Sequence, residues 1–160
     1  IKGLKNKGFP VFVVLTGPAR GFVKEKLKEN KIPFIHKYVS NIYELIPLYQ
    51  ILDIYLITSR EEGGPMGLLE SIACGSAVVS TNVGMAKDVI EDGINGFIAD
   101  DFHYQSIIDK SVKFIEMPIK NKLDILQKGR KNILNYDWEI VSEMHLEKVY
   151  KPAYNFINRI

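Results

Sequence analysis

Apolar runs of strand length alternate with segments of helical periodicity up to residue 99. Such runs predict buried β-strands, and they are Val11–Leu15, Pro33–His36, Ile54–Thr58, Ala77–Ser80 and Phe97–Ala99. Apolar residues at helical spacing predict the intervening helices, over residues 19–30, 42–52, 66–74 and 85–91. Beyond residue 102 the strand pattern stops, and the spacing predicts helices over 104–117, 120–135 and 138–157.

This alternation of strand and helix with short loops predicts right-handed βαβ units. The fold class expected is α/β, a Rossmann-like three-layer sandwich in which helices flank a parallel β-sheet, followed by a helical C-terminus. Gly75 is expected to end the helix at 66–74, Asp137 to cap the last helix, and Trp138 to anchor that helix in the core. Ligands of such folds bind beyond the carboxyl ends of the strands. The loops at that edge are 16–21, 38–41, 59–67, 81–85 and 100–103.

One of these loops belongs to the stretch SREEGGPMGLLESIACG, residues 59–75, in which two carboxylates flank a glycine-rich bend. Glu62 follows a predicted strand, and Glu70 lies in the first turns of the next helix. Glycines at 63, 64 and 67 allow a sharp turn and a close approach to a ligand, and Pro65 suits the first helical position. The helix start is expected to leave free N–H groups at about residues 66–69, which favour a phosphate.

A carboxylate beside a phosphate site is chemically sensible if the ligand also carries hydroxyl groups. A carboxylate accepts two hydrogen bonds from a vicinal diol such as a ribose or a hexose. Amides for a phosphate and two glutamates for two sugar rings together predict a nucleotide-sugar site. From spacing alone, a packing role for the bend is supported equally well, because glycine-rich turns are frequent in α/β proteins.

Composition narrows the chemistry further. The 160 residues carry a net charge of only +2, which gives no case for a nucleic-acid partner. Cys74 is the one cysteine, and the three histidines are far apart, so no metal site and no cofactor is predicted. We expect Cys74 to be a buried small residue without an activating base, and we predict no membrane span.

The residues themselves carry a resemblance. The segment EGGPMGLLESIACGSAVVSTNVGMAKDVIEDGINGF closely resembles the signature of retaining glycosyltransferases of family 4, which have the GT-B fold. In that signature two glutamates are separated by seven residues, here Glu62 and Glu70, which leaves Glu61 out of register. The segments LTGPARGFVKEKLKE, FIHKYVSNIYELIPLYQILDIYLITS and NYDWEIVSEMHLEKVY are also similar to family segments, so that the resemblance covers most of the chain.

The resemblance implies a role for each motif residue. Glu70 would bind the ribose hydroxyls of the donor, and Glu62 would contact the donor sugar and help stabilise charge near its anomeric carbon. Tyr38 and Val39 would meet the base through their backbone. The remaining donor-binding residues would be Gly63, Gly64, Met66, Gly67, Leu68 and Leu69, the last four through their amides. Family members commonly bind the donor without a metal.

The sequence departs from the family at its start. The usual domain begins with a strand and a glycine-rich loop whose arginine and lysine clamp the diphosphate. The sequence starts at Ile1 without this strand and loop. Residues 1–160 are therefore expected to be a donor-binding domain truncated at its N-terminus, without the acceptor domain, and inactive alone. The whole protein would be a hexosyltransferase, cytoplasmic or at the cytoplasmic face of a membrane. Its acceptor, a sugar, a lipid or a glycoconjugate, is not specified by these residues.

Two alternatives of other classes stay open at this point. One is a relative on the same fold, such as a nucleotide-sugar epimerase or a phosphorylase. An epimerase would need catalytic carboxylates and a histidine, and a phosphorylase would need a lysine for pyridoxal phosphate; neither set is recognisable. The other is a nucleotide-binding module without catalysis, because a fold does not fix a function.

Overall fold

The chain alternates strand and helix in the order that its apolar pattern predicts. The computed structural model describes residues 1–18, 20–100 and 103–158, so that residues 19, 101 and 102 of the predicted segments lie outside it. The strands are β1 Val13–Thr16, β2 Phe34–Lys37, β3 Ile54–Ile57, β4 Ala77–Thr81 and β5 Phe97–Ala99. The helices are α1 Lys2–Asn6, α2 Gly21–Glu29, α3 Leu45–Gln50, α4 Met66–Cys74, α5 Ala86–Val89, α6 Tyr104–Glu116, α7 Ile119–Ile133, α8 Trp138–His145 and α9 Lys151–Ile157.

Two helix ends follow the capping chemistry expected from the sequence. Gly75 ends α4 in the left-handed region at φ 92°, where a residue without a Cβ is unstrained. Asp137 precedes α8, and its carboxylate accepts a hydrogen bond of 2.9 Å from the amide of Glu139. Both predicted caps are confirmed.

Every strand pairing that the structure describes is parallel, which confirms the α/β prediction. β4 lies between β3 and β5, with Ile54 opposite Ala77 and Val79 opposite Phe97. All five residues of β4 are buried. Successive side chains of a strand point to opposite faces, and they enter two separate core clusters. Val78 packs with Ile57, Leu68, Ile72, Val83, Ala86, Val89 and Ile90. Ala77 and Val79 pack with Phe97, Phe114 and Ile125.

The strands do not form the single sheet that the pattern suggested. β1 pairs with β2 in a separate two-stranded sheet, and within the described residues no ladder joins β1 to β3. An open groove of about 580 Å³ lies between them, lined from the β1 side by residues such as Phe12 and Val14 and from the β3 side by Ile54 and Leu56. Each of these two strands therefore has one edge without a partner strand.

The C-terminal helices differ from the prediction in two respects. The helix predicted over 138–157 is interrupted by a π-helical segment, Leu146–Tyr150, between α8 and α9. Trp138 does not anchor the last helix in the core, because it is 73% exposed. The reason is that the segment from 138 to 158 mainly contacts the elements next to it in sequence, so no core face is available to the indole. In the described ranges, no helix is long and apolar enough to cross a membrane.

Candidate functional site

The loop after β3 is tied to the neighbouring strand at its first residues. The Thr81 hydroxyl, at the end of β4, donates a hydrogen bond of 2.7 Å to the carbonyl of Ser59. Thr81 is itself buried, so the bond fixes the start of the loop against the strand edge. The glycine-rich stretch therefore leaves the sheet from a defined point.

The next loop along the chain supports the same stretch through Gly84. Gly84 has φ 49°, and a Cβ built on it would lie 2.4 Å from the carbonyl oxygen of Gly63 and 2.5 Å from that of Glu62. Only glycine permits this approach of two backbones. The side chain of Met85 also reaches this bend, with its sulfur 3.7 Å from a Cβ built on Gly64. The position of Glu62 thus depends on the loop that follows β4.

The start of α4 offers amides, though fewer than the sequence predicted. Pro65 is the N-cap, one residue before its predicted place, and its carbonyl accepts a hydrogen bond of 2.8 Å from the amide of Leu68. The expectation that the Leu68 amide is free is therefore wrong, because a short turn satisfies it. Within the described residues, the amides of Met66 and Gly67 have no protein acceptor. These two donors remain available to an anion at the helix N-terminus.

Glu70 projects from α4 toward α3 and is not free. The Tyr49 hydroxyl donates a hydrogen bond of 2.9 Å to Oε2 of Glu70. Tyr55 of β3 packs edge-on against Tyr49, with ring centroids 5.5 Å apart. A Cβ built on Gly67 would lie 2.3 Å from the Tyr55 hydroxyl and 3.2 Å from the Tyr49 hydroxyl. The two phenols therefore fill the space beneath the first turn of α4, which explains the glycine there.

Electrostatics connect the two glutamates that the sequence singled out. Burial raises the pKa of Tyr55, the charges of Glu70 and Glu62 add to this rise, and the guanidinium of Arg20 opposes it. Two charged groups of the stretch 59–75 and one from the loop after β1 thus act on one hydroxyl. Burial, followed by the hydrogen bond to Glu70, raises the pKa of Tyr49 far above its usual range, so that its hydroxyl stays protonated.

The predicted base-binding residues lie on the other sheet. Tyr38 and Val39 follow β2, where Tyr38 is 74% exposed and Val39 is half-buried. Their strand is held to the neighbouring loop by His36, whose Nε2 lies 2.7 Å from the carbonyl oxygen of Gly17. Among the described contacts, none joins these two residues to the loop around Glu62.

Cys74 is half-buried near the end of α4. Burial raises the pKa of its thiol, and the charge of Glu70 adds to the rise. The described part of the chain contains no group of three or more side chains able to hold a metal ion, and the expectation of metal-free donor binding stays a prediction.

Four contributors were not recognised as functional from the sequence. The sequence indicates Tyr49 and Tyr55 only as members of the apolar pattern of a helix and a strand. It indicates Gly84 only as a residue of a turn. Arg20 was not singled out; its Nε donates a hydrogen bond of 3.0 Å to the carbonyl of Thr16, at the end of β1.

Most of the chain matches a known protein family. Residues 1–132 match the family described as Glycosyl transferases group 1. The chain is 26% identical over 110 residues to N,N'-diacetylbacillosaminyl-diphospho-undecaprenol alpha-1,3-N-acetylgalactosaminyltransferase of Campylobacter jejuni subsp. jejuni serotype O:2. That match covers 69% of this chain and 29% of the relative, so the chain spans less than a third of its length.

Solved structures agree in fold. The C-terminal domain of the group 1 family protein LpcC from Francisella tularensis superposes with a TM-score of 0.64 at 22% identity, over 84% of this chain and 90% of that one. HepE from Anabaena, in complex with UDP-glucose, superposes with a TM-score of 0.68 at 22% identity, over 86% of this chain and 40% of that one. From the family match and this shared architecture it follows that the chain belongs to the glycosyl transferases group 1 family.

Proposed function

We propose that this chain binds a nucleoside diphosphate sugar as the donor-binding part of a glycosyltransferase. The enzyme would transfer the sugar, a hexose, to an acceptor with retention of the anomeric configuration. One observation carries the proposal: the Tyr49 hydroxyl that donates to Glu70 lies 3.2 Å from a Cβ built on Gly67, so that the carboxylate and the free amides at the start of α4 lie side by side. The complex of HepE with UDP-glucose supports the class of ligand by similarity of fold.

Each part of the ligand has a group suited to it. The amides of Met66 and Gly67 suit a phosphate oxygen, because a helix N-terminus favours an anion. Glu70 suits the ribose hydroxyls as an acceptor, and Glu62 suits the transferred sugar. Gly63 and Gly64 keep the backbone bare where the sugar would approach, and a metal is not needed in this scheme.

Titration of the full-length protein with UDP-, GDP- and ADP-sugars tests the proposal. We expect one base to bind, and we expect that binding to persist in EDTA. The Glu70→Ala variant should weaken binding of the nucleotide itself, whereas Glu62→Ala should mainly slow transfer. A folded protein that binds none of the donors would overturn the proposal, and so would unchanged nucleotide affinity in Glu70→Ala. The anomeric configuration of the product, measured by NMR, tests retention.

We further propose that the chain is one domain of a longer enzyme whose acceptor-binding domain lies elsewhere in that protein. Two features support this: the chain spans 29% of the Campylobacter relative, and the facing edges of β1 and β3 border an apolar groove. An additional parallel strand would fit this groove, because it would pair with both edges and complete one sheet.

Comparison of residues 1–160 with the full-length protein tests this second proposal. We expect the isolated chain to bind the donor weakly and to transfer no sugar. Hydrogen exchange at the β1 and β3 amides should be slower in the full-length protein, because an inserted strand would protect them. Equal exchange in both proteins, or transfer by the isolated chain, would refute it. The cytoplasmic location and the acceptor class stay predictions.

A further inference from the structure

We propose that Tyr49 is a positioning residue that orients Glu70 for the ribose hydroxyls of the donor. The inference rests on the proposed function, since it assigns a support to the carboxylate that would hold the nucleotide. It is carried by a geometric observation on this chain: a buried hydroxyl on α3 occupies one oxygen of Glu70 on α4, 2.9 Å away.

Tyr49 is held firmly enough to act as a support. Its side chain is 9% exposed, at the C-terminal end of α3. The buried hydroxyl of Ser76 donates a hydrogen bond of 2.6 Å to its carbonyl oxygen. Its ring packs edge-on against Tyr55 at an interplanar angle of 73°. Both backbone and ring of Tyr49 are therefore fixed by neighbours from outside its own helix.

The hydrogen bond has only one possible direction. An ionised carboxylate accepts and does not donate, and the buried Tyr49 phenol keeps its proton. Because Oε2 of Glu70 accepts this hydrogen bond, rotation of the carboxyl group is restricted, and both lone pairs of Oε1 stay available to the hydroxyls of a ligand. A carboxylate oriented before the ligand arrives binds it without a further loss of side-chain freedom.

Gly67 connects this support to the phosphate-binding end of the site. The hydroxyls of Tyr49 and Tyr55 lie where a side chain on Gly67 would be, one turn before Glu70. The same two phenols thus pack beneath a free amide and beside the carboxylate. The spacing between the predicted phosphate contact and the predicted ribose contact is consequently set by two tyrosines rather than by α4 alone.

The test uses Tyr49→Phe, which removes the hydroxyl and keeps the ring. The full-length wild-type protein and this variant are titrated with UDP, GDP and ADP and with their 2′,3′-dideoxy analogues. For the base that binds, we expect Tyr49→Phe to weaken the ribonucleotide about tenfold, the scale of one hydrogen bond to a charged group. The dideoxy analogue lacks the hydroxyls that would donate hydrogen bonds to Glu70, so its affinity should be the same in both proteins.

Tyr136→Phe is the matched control. It also removes one tyrosine hydroxyl, which in this case donates to the backbone carbonyl of Asp88, and Tyr136 lies outside the site. We expect both nucleotides to bind this variant as they bind the wild type. A Tyr49→Phe variant that binds the ribonucleotide normally, or that loses both analogues equally, would overturn the positioning role while leaving the proposed function intact. A folded wild-type protein that binds no nucleotide would overturn both.

Discussion

In the three-stranded sheet β4 is buried along its whole length, whereas every residue of β1 in the two-stranded sheet is only half-buried. β1 is at least as apolar as β4, which contains Ser80 and Thr81, so composition does not explain the difference. β4 has a partner strand on each edge and a core cluster on each face, while β1 has one partner and faces the groove. The number of neighbours decides the burial.

The comparison bears on function because the candidate site draws on both sheets. The loops that carry Glu62 and Gly84 leave from β3 and β4, in the three-stranded sheet. Tyr38 and Val39 leave from β2, in the two-stranded sheet. The groups proposed for phosphate and sugar thus leave from the sheet that contains the fully buried β4, and the groups proposed for the nucleobase leave from a sheet whose strands have no buried residue.

The largest effect should come from the same substitution made in each sheet. Phe97 of β5 is 0% exposed and packs edge-on against Phe114, while Phe34 of β2 is half-buried. Phe97→Ala should lower the free energy of unfolding by about 4 kcal/mol, through lost burial and a cavity. Phe34→Ala should lower it by about half as much, because its ring is already partly in water. Urea unfolding measures both, and equal losses would refute the contrast between the sheets.

A smaller effect is expected where the two loops of the site meet. Gly84→Ala would force its Cβ into the carbonyls of Glu62 and Gly63 in addition to the strain of φ 49°. Unfolding should become easier by about 2–3 kcal/mol, and donor affinity should fall because the loop moves.

Gly75→Ala separates the two causes. Gly75 also has positive φ, 92°, but a Cβ there would meet nothing within 4 Å. It should cost about 1 kcal/mol, from backbone strain alone, and should leave donor affinity unchanged. If Gly84→Ala behaved like Gly75→Ala in both measurements, contact between the loops would not matter for the site.

The order of elements could be predicted from the sequence because hydrophobic periodicity is a local property. The predicted strand Ala77–Ser80, for example, corresponds to β4, which extends one residue further, to Thr81. Periodicity says nothing of which strands become neighbours, so the separation of β1 from β3 was not foreseen. Trp138 was misplaced for a related reason: a large apolar residue was assumed to find a core, and α8 has none to offer.

For the candidate site, too, the sequence indicated local features but not the contacts between distant elements. The spacing of Glu62 and Glu70 around the glycines singled out one loop and the start of α4 as the candidate site. It could not show that Tyr49, 21 residues before Glu70, bonds to it, nor that Gly84 touches the backbone at Gly63. Both contacts join elements distant in sequence, and pattern analysis treats each element separately.

The contrast between the two parts of the site predicts unequal effects on nucleotide affinity. Glu70→Ala should weaken binding about tenfold or more, because it removes a charged acceptor. Tyr38→Ala should change it by less than about threefold, since we expect that segment to use its backbone and the side chain is largely in solvent. Calorimetric titration with the preferred nucleotide measures both affinities. A larger loss of affinity in Tyr38→Ala than in Glu70→Ala would contradict the roles assigned to these two residues.

The smallest effect concerns the reactivity of Cys74 and leaves stability untouched. Because burial and the charge of Glu70 raise the pKa of its thiol, less thiolate is present at pH 8 than in a free cysteine. Alkylation by iodoacetamide should therefore be slower than for glutathione, and faster as the pH rises. The matched control is Ala73→Cys in a Cys74→Ala background, because residue 73 lies on the same helix and is exposed. Equal rates at the two positions would mean that the end of α4 opens readily, contrary to the firm packing of this sheet.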